Sequence, residues 1–154
     1  MSTAPLENAP TIVGARFTKI YDKYGKHIIT RDEHTELEWQ PHVMARCTNF
    51  IGIFCGPARL CRESRVGGYT DWRAPTREEA LSVAPMNAYW YWDEECPWVW
   101  TSTPDDEAPE KMAWVVKFGS IHPVKELRSN RHHVRAVRGQ MRTDITATPK
   151  AGES

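Results

Sequence analysis

The stretch Gly67-Gly-Tyr-Thr-Asp-Trp-Arg-Ala-Pro-Thr-Arg-Glu-Glu79 decides how the rest of the chain is read. Gly67 and Gly68 make a Gly-Gly turn that ends the polar, basic run before it. Trp72 and Arg73 follow, a large ring and a five-donor guanidinium that can lock such a turn onto a core by packing and by hydrogen bonds to carbonyls. Pro75 then precedes Thr76-Arg-Glu-Glu79, a capping box. Ala80, Leu81 and Val83 supply the apolar positions of a short helix that starts near Thr76 and ends at Pro85.

Toward the N-terminus, Arg16-Phe-Thr-Lys-Ile-Tyr21, Lys26-His-Ile-Ile-Thr30 and Glu36-Leu-Glu-Trp-Gln40 are short, β-branched or aromatic, and separated by polar turns. That pattern predicts a strand meander. Pro41 fits a helix N1 position, and Val43, Met44, Cys47, Phe50 and Ile51 fall on one helical stripe, which predicts a first helix and a core-facing Cys47. Gly56-Pro57 breaks it, and Arg59 to Arg65 is polar and basic. Toward the C-terminus, residues 84–112 form one long connection interrupted by the strand-like Trp98-Val-Trp-Thr-Ser-Thr103. Ala113–Phe118 and His133–Arg138 then read as strands with a polar connection between them. The order predicts an α+β domain over 16–139 with an antiparallel sheet, two helices and a long irregular loop region. It is flanked by an arm (1–15) and a tail (140–154).

A chain of 154 residues and 17.7 kDa suits a single core. Twenty Lys and Arg balance twenty Asp and Glu, so no whole-molecule field exists to attract nucleic acid or an anionic membrane. No stretch approaches the length of an apolar membrane span. The first ten residues hold neither a basic nor an apolar leader segment, from which a chain not exported by a leader is expected, virion-borne if phage-encoded and otherwise cytoplasmic. Cys47, Cys55, Cys61 and Cys96 show no CxxC spacing and read as thiols rather than a zinc site.

Gly67–Glu79 resembles the "GGYSDWRLPTxxEL" signature of the Legionella collagen-like protein C-terminal domain family. The surrounding blocks agree in order. Ile28-Ile-Thr30 and Thr35–Gln40 resemble the family's "GTVTDxxTGLMWQ" hairpin, Trp100–Pro104 its "YWSSTP", Ala113–Phe118 its "AWxVxF", and Val134–Gly139 its "VRCVRG". The resemblance implies a C-type-lectin-like fold with paired terminal strands. It also implies a use in binding glycans or proteins, in modules of secreted bacterial proteins and of phage. Gly67, Gly68, Trp72, Arg73, Pro75, Trp114, Arg135 and Arg138 are then its structural signature. The family's "VRCVRG" cysteine is Ala136 here, so Cys47, which matches its usual mate, is expected to be reduced and buried.

Tyr89-Trp-Tyr-Trp-Asp-Glu-Glu-Cys-Pro-Trp-Val-Trp100 carries six aromatic rings in twelve residues. A short segment cannot point all of them into a core, and sugars and protein partners both select such rings. Trp90, Tyr91, Trp92 and Trp98, with Asp93, Glu94 and Glu95, are therefore the candidate ligand- or partner-binding residues. Asp93–Glu95 and Asp105–Glu107 are hard oxygen donors of the kind calcium uses, but the "EPN", "QPD" and "WND" patterns of calcium-dependent lectins are absent, so no cofactor and no metal is expected. Lys125, Arg128, Arg131, His132, His133, Arg135, Arg138 and Arg142 oppose the acidic residues 93–110. Such segregation could neutralise itself, pair copies of the domain, or hold a sulfated polysaccharide. No nucleophile elbow, phosphate loop or HExxH is present, so no enzyme is expected. The sequence thus predicts a non-enzymatic lectin-like recognition module, a phage tail or capsid component binding a host-surface glycan or protein in an oligomeric setting. The alternative is a virion decoration protein whose aromatic loop and termini bind neighbouring subunits.

Overall fold

The computed structural model describes residues 16–42, 56–85 and 98–142, and the backbone of 45–48. The expected meander is β1 (Phe17–Tyr21), β2 (His27–Asp32) and β3 (Glu38–Trp39). Its first turn closes because the Asp22 carboxylate accepts hydrogen bonds from Tyr24 N and Lys26 N at 2.8 and 2.9 Å, with Gly25 at φ 85°. The chain continues through β4 (Ala45–Thr48), α1 (Pro57–Glu63), a 3₁₀ turn (Val66–Gly68) and α2 (Arg77–Val83). It ends with β5 (Trp98–Pro104), β6 (Met112–Lys117), β7 (Pro123–Leu127), β8 (His132–Val134) and β9 (Val137–Arg138).

The strands form two sheets, β1-β2-β3-β9 and β4-β8-β5-β6-β7. All pairs are antiparallel except β5 with β8, so the expected antiparallel sheet is corrected to two sheets, one of them mixed. Strands β5 and β6 lie within the second sheet, and their alternate residues enter different cores. Val99 and Val116 join Phe17, Leu37, Trp39, Ala80, Val83, Phe118 and Val137. Trp100, Ala113 and Val115 join Ile29, Cys61, Trp72, Val134 and Ala136. Such two-sided burial explains the nearly unbroken apolar runs of these two strands.

Further expectations are corrected. The helical stripe over 41–51 does not produce a helix at 45–48, which is strand β4, because its backbone pairs with β8 through Ala45↔Val134 and Thr48↔His132. The first helix lies instead at Pro57–Glu63, in the segment read as merely polar. Pro57 opens it, Arg59 and Glu63 pair across one turn at 2.9 Å, and Cys61 faces the core. The polar connection after Phe118 contains β7. His133–Arg138 is not one strand: Arg135 and Ala136 carry the chain from β8 in one sheet to β9 in the other. The terminal strands share the first sheet but stand at its opposite edges rather than pairing. The Cys47 side chain lies outside the described residues, while Ala136 is fully buried. Beyond the expected boundary at 139, Met141 packs on the first core and Arg142 N donates to the Thr35 carbonyl at 2.9 Å.

Candidate functional site

The signature residues turn their polar groups on one another. Gly67 and Gly68 hold φ of 67° and 82°, and a side chain on Gly67 would meet Ile29 Cδ1 at 3.0 Å. Trp72 is buried, donates through Nε1 to the Val66 carbonyl at 3.0 Å, and meets Tyr69 edge to face. Arg73 grips both Glu79 oxygens at 2.7 and 2.8 Å, reaches the Gly139 carbonyl at 2.7 Å, and exchanges two backbone hydrogen bonds with Val137. Because Glu79 is also the N3 residue of the α2 capping box, one carboxylate joins helix start, signature loop and C-terminal strand. These contacts hold the Glu79 carboxyl below its ordinary value despite its burial. The Pro75 carbonyl accepts Ser102 N at 2.7 Å, and Trp114 lies beneath Arg77 and Lys125 at 4.7 and 5.5 Å.

Arg138 lies 3.5 Å over the Tyr69 ring, holds Asp71 at 2.8 and 3.3 Å, and pairs with Glu38. Glu38 meets Arg31, which meets Glu33, which accepts from Thr18. Thr18↔Arg31, Arg31↔Glu38 and Glu38↔Arg138 are directly opposed positions, so a row of alternating charge runs across β2, β3 and β9 and ends at the Thr18 hydroxyl on β1. Arg135 is fully buried, its guanidinium donating to the carbonyls of Gln40 and Pro41 and lying 5.2 Å over Phe118. Burial pushes its pKa well down.

Of the candidate binding residues, Trp90, Tyr91, Trp92, Asp93, Glu94 and Glu95 lie outside the described residues. Trp98 is half-buried against the second core, with Lys117 Nζ 5.9 Å from its ring. Among the acids considered for calcium, Asp105 binds Lys125 at 2.8 Å and accepts Ala108 N at 2.9 Å, which directs it to the loop before β6. No group of three or more metal-ligating side chains occurs among the described residues. The same Lys125–Asp105 bridge shows part of the charge segregation neutralised within the domain.

No local motif announces a cleft of about 150 Å³ lined by Lys26, His27, Ile28, Gln40, Pro41, His42 and Val66. It draws on β2, the end of β3 and the 3₁₀ turn, which only the fold brings together. His27 is buried, shares a hydrogen bond with Thr30 Oγ1 at 2.8 Å, and leans on the exposed Tyr21 ring at 5.6 Å. Burial, and then Lys19, pushes its pKa down to about 4. Partial burial, then Arg135 and Lys26, lowers His42 as well. Both imidazoles are thus neutral at pH 7, and the lining offers one ammonium, two imidazoles, an amide and apolar walls. That set suits hydroxyl groups better than a multiply charged anion.

No curated protein matches the chain. The Lcl C-terminal domain family matches residues 28–138, from the second residue of β2 to the end of β9, which takes in the signature, the second core and most of the first. On that match the chain belongs to the Lcl C-terminal domain family.

Proposed function

We propose that this domain is a non-catalytic, C-type-lectin-like recognition module that binds a glycan or protein on a cell surface, displayed on an assembly such as a phage particle. The cleft carries the reading: two neutral imidazoles, an amide and one ammonium near the exposed ring of Tyr21 are groups that sugar recognition uses. Trp90, Tyr91 and Trp92 extend the reading as aromatic anchors. The alternative role, decoration of an assembly, is favoured by the apolar side chains exposed along β7.

Glycan arrays and whole-cell binding test the proposal, with Tyr21→Ala, His42→Ala, Trp90→Ala and Trp92→Ala compared for binding and melting temperature. Loss of about 2 kcal/mol or more of binding at an unchanged melting temperature supports it. Binding that falls only as stability falls, or no binding to any glycan or cell surface, overturns it.

A further inference from the structure

The outer edge of β7 shows an order of its own. Among the described residues β7 is the last strand of its sheet. Three exposed apolar residues fall on one short run, Ile121 at 63%, Val124 at 37% and Leu127 at 48% exposure. Ile121 and Leu127 stand three residues to either side of Val124, and His122 and Glu126 two residues to either side.

We propose that a second copy of this chain docks on this edge, β7 against β7 and antiparallel, about a two-fold axis at Val124. Antiparallel self-pairing always places one residue opposite its own copy. Centred on Val124, the seam sets Ile121 against the partner's Leu127, His122 against the partner's Glu126, and Val124 against itself. Centring on Glu126 would oppose two carboxylates directly, which destabilises a pair of strands, and centring on Lys125 would set Val124 against the partner's Glu126.

The backbone agrees. Arg128 N donates to the Lys111 carbonyl at 2.8 Å in register with the β6–β7 pairing, so residues 124, 126 and 128 turn their peptide groups toward β6. Residues 123 and 125 turn theirs outward, as does the Leu127 N–H, while the Leu127 carbonyl accepts Asn130 N at 2.9 Å. In the Val124-centred seam Lys125 N–H meets the partner's Pro123 carbonyl and Leu127 N–H the partner's Ile121 carbonyl, each twice by symmetry. Pro123 lacks an N–H, as edge positions tolerate. An edge lysine normally blocks such pairing. Lys125 is instead drawn back to Asp105 at 2.8 Å and over the Trp114 ring, which leaves the seam without its charge. This inference does not depend on the recognition reading, because β7 contributes no residue to the cleft.

Sedimentation velocity of the full chain from about 1 to 200 µM tests it, and a monomer–dimer equilibrium with Kd of about 10–100 µM is expected. Val124→Glu and Val124→Lys should each be monomeric with a nearly wild-type melting temperature, because Val124 is exposed. Mixing the two should restore a dimer, since opposite charges then meet at the axis. A chain that is monomeric throughout, as it would be if another segment or a different protein occupied this edge, overturns the proposal. So does a dimer that both variants leave intact, or a mixture that stays monomeric.

Discussion

Glu36 holds φ at 69°, a left-handed conformation that costs a non-glycine residue about 1–2 kcal/mol. It sits in the turn between β2 and β3, where Glu36 N donates to the Asp32 carbonyl at 2.7 Å. The resembled hairpin motif places glycine at this position. Glu36→Gly is therefore expected to raise stability by about 1 kcal/mol, and Gly67→Ala, at φ 67° and against Ile29, to lower it by about 1–2 kcal/mol. Urea unfolding of both variants measures the pair, and equal midpoints would show that neither turn is strained. The glycine turn was legible because Gly-Gly has few other uses. The strain at Glu36 shows in the sequence only as a departure from the motif's glycine, since a glutamate in a polar turn otherwise looks ordinary until its dihedral angle is known.

Local chemistry makes α2 the most readable element. Thr76 Oγ1 accepts Glu79 N at 3.1 Å and Glu79 answers to Thr76 N at 2.9 Å, as the four-residue motif predicts. Thr76→Ala should cost about 1 kcal/mol and leave the far sheet edge undisturbed, which amide hydrogen exchange along α2 and β7 would show. A loss spread evenly over both elements would mean that the cap is not a local device. Strands β4 and β7 escaped the sequence reading for the opposite reason. Ala45–Thr48 takes its form from β8, more than eighty residues away, and the helical spacing around it is outvoted by that pairing. Pro123–Leu127 carries proline and two charges, and becomes a strand because β6 offers it a ladder of five opposed residues.

Over the whole molecule, stability should depend on acid through His27. Its pKa is about 4 in the fold and about 6.5 in an unfolded chain, so between those values the unfolded chain binds a proton that the folded one refuses. Stability therefore rises with pH across this window and is lost on acidification through it, by up to about 3 kcal/mol. His42 acts in the same direction. Melting curves from pH 7 to pH 4 should fall less steeply for His27→Gln than for the natural chain, and parallel falls would place the acid sensitivity elsewhere. The α+β class and the single family domain were legible at this scale because five motif blocks stand in order. The division into two sheets was not. Val134-Arg-Ala-Val-Arg138 has the alternation of one strand, and nothing local announces that Arg135 turns inward to the Gln40 and Pro41 carbonyls.

That crossing has a consequence for the order of events during synthesis. Strands β8 and β9, with the link between them, supply partners for β4, β5, β3 and the backbone of Arg73. Glu38 and Arg138, one hundred residues apart, must meet before the first sheet gains its fourth strand. A ribosome adding about 5–20 residues each second thus releases the meander and both helices several seconds before either sheet can be completed, and the last strand of the β5–β7 ladder only about a second or less before. Both sheets close in the same brief interval, when residues 132–138 emerge. Until then the emerging chain keeps unpaired strand edges and exposed Trp and Val side chains, so its greatest hazard of aggregation comes late in translation.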